Sequence, residues 1–151
     1  FAAEEWEFAG GKSLFDRARQ EARESRIDGR PDILGSDIDA RSIDLCKKHA
    51  KKAGVMVNWK VAPLKELSTD KSGGLIVCNP PYGERMMEKR EAEALYREMR
   101  HKFDELDNWQ VSVITAYRDF ERIYGKRADK RRKLSNGGMV CTMYQYFKRS
   151  D

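Results

Sequence analysis

The chain has 151 residues, 40% apolar and 36% charged, a balance that suits one globular domain with one hydrophobic core. No apolar run approaches the ~20 residues needed to cross a bilayer, and no basic-then-apolar leader opens the sequence, so we expect a soluble cytoplasmic protein without membrane contact. Three widely spaced cysteines and two isolated histidines argue against a disulfide framework and against a metal site. The net charge of +5 and a pI near 9.1 favour a nucleic-acid partner.

Helical and strand patterns alternate along the chain. Asp39 is predicted to cap the second helix at its start, and Gly54 is predicted to end it. Leu95, Met99 and Phe103 form an apolar stripe on the third helix, continued by Leu106. The predicted elements, in chain order, are a helix at 14–26, a strand at 32–37, a helix at 40–53, strands at 55–61 and 74–78, a helix at 88–106, a strand at 109–116, a short helix at 120–124 and a strand at 139–147.

This order predicts an α/β fold with a mostly parallel sheet, helices on both of its faces and one antiparallel strand near the end. The antiparallel strand follows a hairpin signal at Asn136-Gly-Gly138. The continuous apolar run at 74–78 predicts a strand that is buried on both faces, and the stretches at 32–37 and 109–116 are also predicted to be buried strands. Ligands of such sheets bind at the carboxyl ends of the strands, and two motifs of this chain fall at those ends.

The first motif is an acid at the end of a predicted strand. The Asp37 carboxylate could accept both ribose hydroxyls of a nucleoside cofactor, the role that an acid has in dinucleotide-binding folds. The alternative is that Asp37, like Asp39, only caps the following helix. The residues alone favour neither interpretation of Asp37, whereas Asp39 fits the cap.

The second motif is Asn79-Pro80-Pro81-Tyr82, directly after the apolar strand at 74–78. An exocyclic base amine is a poor nucleophile because its lone pair is delocalised into the ring. Two acceptors on its N–H groups favour a tetrahedral nitrogen, and the Asn79 side-chain oxygen and the Pro80 carbonyl can be those acceptors. The prolines stiffen the turn, and Tyr82 can stack on a base taken out of its helix. The alternative, a plain strand-ending turn, is disfavoured by the strand that precedes it.

Two motifs together carry a resemblance to the class I Rossmann-like methyltransferases: Asp37-Ile38-Asp39 before a lysine-rich helix, and Cys78-Asn-Pro-Pro-Tyr-Gly-Glu-Arg-Met86. More narrowly, the chain is similar to the RNA methylase family of THUMP-containing guanine-N2 methyltransferases, which includes the bacterial enzyme acting on large-subunit ribosomal RNA. The extended motif through Glu84 and Arg85 is typical of that family. The opening segment 1–6 and the segments 128–134 and 144–146 are also similar to it.

The resemblance implies S-adenosyl-L-methionine as cofactor and RNA, most directly ribosomal RNA, as partner. It implies that Asp37 binds the cofactor ribose, that Ile38 packs on its adenine, and that Asn79, which also borders the cofactor, acts with Pro80 and Tyr82 in catalysis. Pro81 and Tyr82 would hold the target base. The alternatives are an N6-adenine methyltransferase on DNA or RNA, and an inactive nucleic-acid-binding remnant.

The chain departs from the family pattern in two places. The family's Gly-rich cofactor loop and its first, central strand would precede Phe1, so we expect residues 1–151 to be a single partial catalytic domain. We expect two exposed strand edges, and self-association or pairing with a further segment. After the strand at 55–61, Pro63 stands where the family often has an acid facing the cofactor adenine, which leaves a backbone group or Glu66 for that contact.

A basic run at 126–133 is the best candidate for contact with RNA phosphates, although a run of charges is often only a solvated face. Within this run, Lys126, Arg127, Lys130 and Arg131 are predicted to bind the substrate.

Overall fold

The computed structural model describes residues 2–27, 29, 32–83, 86–136 and 138–147, with the backbone alone at 86, 87 and 136. The structure has four α-helices and six strands within these residues, in the order predicted from the sequence except for one additional strand, β5. Single turns of 3-10 helix lie at Ala2–Glu5, Glu7–Ala9 and Leu64–Glu66. The other elements are α1 (Gly11–Glu24), β1 (Leu34–Asp37), α2 (Ala40–Ala53), β2 (Asn58–Val61), β3 (Gly74–Cys78), α3 (Met86–Asp104), β4 (Trp109–Thr115), α4 (Phe120–Tyr124), β5 (Lys130–Asn136) and β6 (Met139–Tyr146).

The strands form two sheets. β1 and β2 pair in parallel in the smaller sheet, and the larger one has the order β3-β4-β6-β5. β3 and β4 are parallel, whereas β6 runs antiparallel to both β4 and β5. The predicted α/β class, with parallel strands and an antiparallel terminal hairpin, is therefore confirmed. Within the described residues, β1 and β3 each keep one edge that pairs with no other strand.

Local signals explain why α2 has the bounds that the sequence predicts. The Asp39 side chain accepts a hydrogen bond from the Arg41 backbone N–H at 3.0 Å, which satisfies one free donor of the first turn. Gly54 ends the helix in the left-handed region at φ 67°, where a side chain would be strained. Ile43 is buried, so α2 is held by its apolar side. Both capping predictions are confirmed.

The main core lies between helices α3 and α4 and one face of the larger sheet. Met99, Phe103 and Leu106 are buried and Leu95 packs against the cluster, so the predicted stripe is confirmed as core. Strand β4 is buried as predicted, with Val113 fully enclosed. The remaining buried members of this cluster are Ala92, Tyr96, Val111, Phe120, Ile123, Tyr124, Tyr144 and Tyr146.

The burial predicted for β1 is wrong on both faces, since Leu34, Ser36 and Asp37 are all exposed, and the burial predicted for β3 is wrong on one face. Leu34 is 55% exposed, and Leu75 and Val77 are 60% and 58% exposed. Alternate residues of a strand point to opposite faces, and β3 turns Ile76 and Cys78 towards the helical core. Leu75 and Val77 therefore point to the other face, on which none of the described helices packs.

Two further differences concern the start of β2 and the presence of β5. β2 begins at Asn58, three residues later than the predicted start at 55. Residues 130–136 form strand β5, although the sequence analysis gave this stretch only a charge run. Lysine and arginine favour strands weakly, but antiparallel pairing with β6 supplies the backbone hydrogen bonds here.

None of the described helices combines the length and the apolar character needed to cross a membrane.

Candidate functional site

The predicted catalytic turn follows β3 at the carboxyl end of the larger sheet. Pro80 is buried, whereas Asn79 is exposed. The Tyr96 hydroxyl of α3 donates a hydrogen bond to the Pro81 carbonyl at 2.7 Å, and it lies 3.4 Å from the Thr115 hydroxyl. Because Tyr96 is itself fully buried, it fixes the second proline of the turn to the core.

Asn79 and Tyr82 contact each other directly. The Tyr82 hydroxyl donates a hydrogen bond to Asn79 Oδ1 at 2.6 Å and lies 3.8 Å from the sulfur of Cys141 on β6. Desolvation and the neighbouring Cys141 raise the pKa of Tyr82, so its hydroxyl stays neutral and keeps its proton to donate. The side-chain oxygen predicted to accept from a base amine therefore accepts from Tyr82 in this structure.

An open groove runs beside the turn, between Tyr82 and the start of α3. It is lined by Pro81, Tyr82, Gly83, Glu88, Glu91, Ala92 and Leu95. Gly83 has a φ of +66°, and a Cβ atom built on it would lie 2.5 Å from the Lys89 Cα. Only glycine permits this close approach between turn and helix. The groove thus combines apolar walls with the carboxylates of Glu88 and Glu91. Glu84 and Arg85, on which the narrower resemblance rests, lie outside the described residues.

The predicted cofactor residues lie at the carboxyl end of β1, in the other sheet. Asp37 is exposed, and its Oδ1 accepts a hydrogen bond from the Asp39 backbone N–H at 2.8 Å. Its second oxygen has no hydrogen-bond partner among the described residues. The Ile38 side chain is 74% exposed. A free carboxylate oxygen beside an exposed apolar side chain fits the ribose hydroxyls and the ring of a nucleoside.

The basic residues selected from the sequence are divided between a loop and β5. The Lys126 ammonium lies over the Tyr146 ring, 5.8 Å from its centre. Arg127 and Lys130 are exposed. Arg131 forms an ion pair with Glu121 of α4, with 2.7 Å between Nη2 and Oε2. The structure brings Asn79, Pro80, Pro81 and Tyr82 together, whereas Asp37 lies on the separate sheet without a described contact to them.

Tyr96 and Cys141 of this site were not predicted from the sequence, and neither were Glu88 and Glu91 of the groove. Tyr96 follows Ala92 by four positions and precedes Met99 by three, so helical spacing could have placed it on the core face of α3. No local pattern indicates that its hydroxyl reaches Pro81. The contact between Cys141 and Tyr82 depends on the order of strands β3, β4 and β6, which the sequence leaves open.

The fold and the turn after β3 together define a Rossmann-like methyltransferase domain, and comparisons with known proteins agree. Residues 2–145 match the family described as RMKL-like, methyltransferase domain, and the chain belongs to this family. The resemblance inferred from the motifs is thereby confirmed.

Relatives extend well beyond the length of this chain. It is 40% identical over 152 residues to the Bacillus subtilis (strain 168) protein named "Putative RNA methyltransferase YpsC", covering 99% of the chain but 39% of the relative. It is 32% identical over 135 residues to "Ribosomal RNA large subunit methyltransferase K/L" of Legionella pneumophila (strain Corby), covering 87% of the chain and 19% of the relative. The chain therefore spans less than half the length of these relatives.

A solved structure gives the same fold with a ligand bound. SMU.472, described as a putative methyltransferase complexed with S-adenosylhomocysteine, superposes with a TM-score of 0.82 at 36% identity, covering 92% of this chain and 38% of that one. S-adenosylhomocysteine is what remains of S-adenosyl-L-methionine after its methyl group is transferred. The cofactor predicted from the sequence agrees with this relative.

Proposed function

We propose that this chain takes part in methyl transfer from S-adenosyl-L-methionine to the exocyclic N2 amine of guanine in RNA, most directly large-subunit ribosomal RNA. The observation that carries the proposal is the anchored turn after β3, in which exposed Asn79 accepts a hydrogen bond from half-buried Tyr82, which lines an open groove. The names of the two relatives support RNA and ribosomal RNA as the substrate class. The cytoplasmic location stays a prediction.

In this proposal the turn positions the base amine through two oxygens. Asn79 Oδ1 and the Pro80 carbonyl accept its N–H groups, which turns the nitrogen lone pair out of conjugation with the ring. The ring of Tyr82 stacks on the base. When bound, S-adenosyl-L-methionine supplies an electrophilic methyl group on a positively charged sulfur. The new N–CH₃ bond makes the amine acidic, so its proton leaves to water and the chain needs no charged general base.

Guanine is favoured over adenine by the acids that line the groove. Guanine offers adjacent N1–H and N2–H donors on its Watson–Crick edge, whereas adenine offers one donor group and one acceptor. Glu88 and Glu91 bring carboxylate oxygens to the groove beside Pro81 and Tyr82. Carboxylates accept hydrogen bonds and cannot donate them when ionised, so they match the guanine edge and oppose the adenine N1 acceptor.

Asp37 and Ile38 would hold the adenosine end of the cofactor, the carboxylate accepting from ribose and the side chain packing on adenine. Because Asp37 Oδ1 already accepts from Asp39, Oδ2 is the oxygen left for the hydroxyls. In the basic run, Lys126, Arg127, Lys130 and Arg131 are the proposed contacts to RNA phosphates.

The first experiment is a calorimetric titration of the chain with S-adenosylhomocysteine, with Asp37→Ala and Asp39→Ala as matched variants. Micromolar binding that is lost in Asp37→Ala but kept in Asp39→Ala supports the ribose role, because Asp39 caps α2 and does not line the site. The absence of binding by a folded sample would favour the inactive nucleic-acid-binding remnant.

Methyl transfer to RNA oligonucleotides then separates guanine from adenine. Tritiated cofactor is supplied with strands whose only purine is guanine or adenine, and methylated nucleosides are identified after digestion. Labelled N2-methylguanosine supports the proposal. Labelled N6-methyladenosine would overturn the guanine assignment in favour of adenine.

We also propose that residues 1–151 form part of a catalytic domain in which a further parallel strand pairs with the open edges of β1 and β3. That strand would come from another segment or from a second copy of the chain. The support is the unpaired edge of β3 beside exposed Leu75 and Val77, with no charge along Gly74–Cys78 to discourage pairing. Light scattering after size exclusion tests the second copy: a dimer of the wild type that becomes monomeric in Val77→Lys supports it.

A further inference from the structure

Strand β5 carries four consecutive charges, Lys130 to Lys133, and the strand geometry divides them between two faces of the sheet. Successive side chains of a strand point to opposite sides. In the antiparallel pairing with β6, Lys130 lies opposite Gln145 and Arg132 opposite Met143, whereas Arg131 lies opposite Tyr144. Lys130 and Arg132 therefore share one face, and Arg131 and Lys133 share the other.

Two observations identify which face belongs to which pair. Tyr144 is a buried member of the core beneath α3 and α4, so its neighbour Arg131 lies on the helical side. Arg131 also reaches α4 directly, donating to Glu121 through Nε at 3.0 Å in addition to the Nη2 contact. Lys130 and Arg132 consequently point to the side on which no described helix packs.

The two sides differ in how much free positive charge they offer. On the helical side the Arg131 charge is offset by Glu121, which leaves Lys133 as the one cation of that pair without a described ion-pair partner. On the other side neither Lys130 nor Arg132 has an ion-pair partner in the part of the chain that the structure describes. Their neighbours across the strand pair, Gln145 and Met143, carry no charge. An anion that approaches the uncovered face thus meets two unopposed cations.

The same face leads to the candidate site. Leu134 follows Arg132 on this face and lies opposite Cys141, whose sulfur is 3.8 Å from the Tyr82 hydroxyl. Side chains on one face of a strand recur about every 6.8 Å, so Arg132 and Lys130 lie about one and two such repeats from the residue opposite Cys141. The two cations thus form a line that leads away from the Asn79–Tyr82 turn.

We propose that Lys130 and Arg132 bind successive phosphates of the RNA strand whose target base enters the groove at Tyr82, and that the RNA passes β5 on the face opposite α4. The inference rests on the proposed function and deepens it, because it assigns the phosphate contacts of the basic run to one face of β5. Arg132 thereby takes the place of Arg131 among the proposed phosphate contacts, because Glu121 offsets the Arg131 charge and holds this side chain to α4.

The test compares two double variants of equal charge, Lys130→Gln with Arg132→Gln and Arg131→Gln with Lys133→Gln. Binding of a fluorescent single-stranded RNA is measured between about 50 and 200 mM salt, where counterion release gives a slope of about 0.7 per phosphate contact in a plot of log K against log salt. We expect the first variant to lower the slope by about 1.4 and the second to lower it by less than half as much. In the second variant Glu121 still accepts from the Ala128 backbone N–H at 2.7 Å, so it keeps a partner.

Equal losses in both variants, or a larger loss in the Arg131–Lys133 pair, would overturn the assignment of faces. The single variants Arg132→Gln and Lys133→Gln repeat the comparison with one charge each if a double variant unfolds. Titration of every variant with S-adenosylhomocysteine separates this inference from the proposed function. If the two double variants give equal salt slopes and still bind S-adenosylhomocysteine, the assignment of phosphate contacts to Lys130 and Arg132 is refuted and the proposed function stands. If the wild type binds RNA but never transfers a methyl group to it, the proposed methyl transfer is refuted and the phosphate contacts stand.

Discussion

Replacing Tyr82 with phenylalanine removes one hydroxyl and keeps the aromatic ring, which separates two roles that the proposed site gives to this residue. In the structure the hydroxyl donates to Asn79 Oδ1 at 2.6 Å. A base that bonds Asn79 Oδ1 and stacks on the ring requires the ring to turn away from Asn79. The hydroxyl contact is therefore a cost of binding, and Tyr82→Phe should bind an amine-bearing base more tightly than the wild type.

The size of the effect follows from the hydrogen bond that is removed. A neutral intramolecular hydrogen bond contributes about 0.5–1.5 kcal/mol net, and the lower half of that range applies here because Asn79 is exposed to competing water. About 0.5–1 kcal/mol corresponds to a roughly 2- to 5-fold lower Kd. Tyr82→Ala loses the stacking as well, worth about 1–3 kcal/mol per base, and should bind roughly 5- to 160-fold more weakly than Tyr82→Phe.

An RNA oligonucleotide with 2-aminopurine at one position provides the assay, because this base carries its amine where guanine carries N2. Its fluorescence falls on stacking, so a titration reports both affinity and contact with the ring. Asn79→Ala serves as the control that removes the acceptor. If Tyr82→Phe weakens binding as much as Tyr82→Ala does, the hydroxyl assists the base and the argument from the Asn79 contact is refuted.

Two further predictions concern the surroundings of the turn. Tyr96→Phe leaves the Pro81 carbonyl without its 2.7 Å donor and should lower the free energy of unfolding in urea by about 1–3 kcal/mol. Tyr124 is also buried, and its hydroxyl has no hydrogen bond within the described residues. Tyr124→Phe should therefore lower the free energy of unfolding by clearly less than Tyr96→Phe does, and equal decreases would contradict the anchoring role of Tyr96. Burial raises the pKa of Cys78 to about 12, so its thiol is almost entirely neutral at pH 8 and a poor nucleophile there. Iodoacetamide at pH 8, followed by mass spectrometry, should label Cys46 well before Cys78, and equal labelling rates would contradict this.

The elements that could be predicted from the sequence are those whose ends are set by their own capping residues. Predictions failed where contacts with distant segments determine burial or strand pairing. α2 was predicted to the residue because Asp39 and Gly54 cap it locally. β3 was placed correctly, but the burial of Leu75 and Val77 depends on what packs above them, which no pattern within the strand records. β5 was missed because its lysines and arginines look like a solvated loop until β6 pairs with them.

The same contrast holds within the candidate site. Asn79-Pro-Pro-Tyr82 is contiguous, so its chemistry can be read from the order of residues. The bond from Tyr96 to Pro81 joins residues 15 positions apart, and the contact between Tyr82 and Cys141 joins residues 59 positions apart. Side-chain contacts of this range depend on tertiary packing and leave no periodic signal in the sequence.

The position of the core along the chain has a consequence for how the molecule opens. Every buried member of the main cluster comes from residues 92–146, whereas Ile43, Ala62 and Pro80 are the buried apolar residues that precede it among those described. Native proteins open in cooperative units whose free energies follow their packing. Amide protons of β4, enclosed between β3 and β6, should exchange last, and those of α1 and β1 should exchange early. Brief proteolysis should accordingly trim the amino-terminal half first and leave a fragment that retains Asn79, Tyr82 and the basic strand.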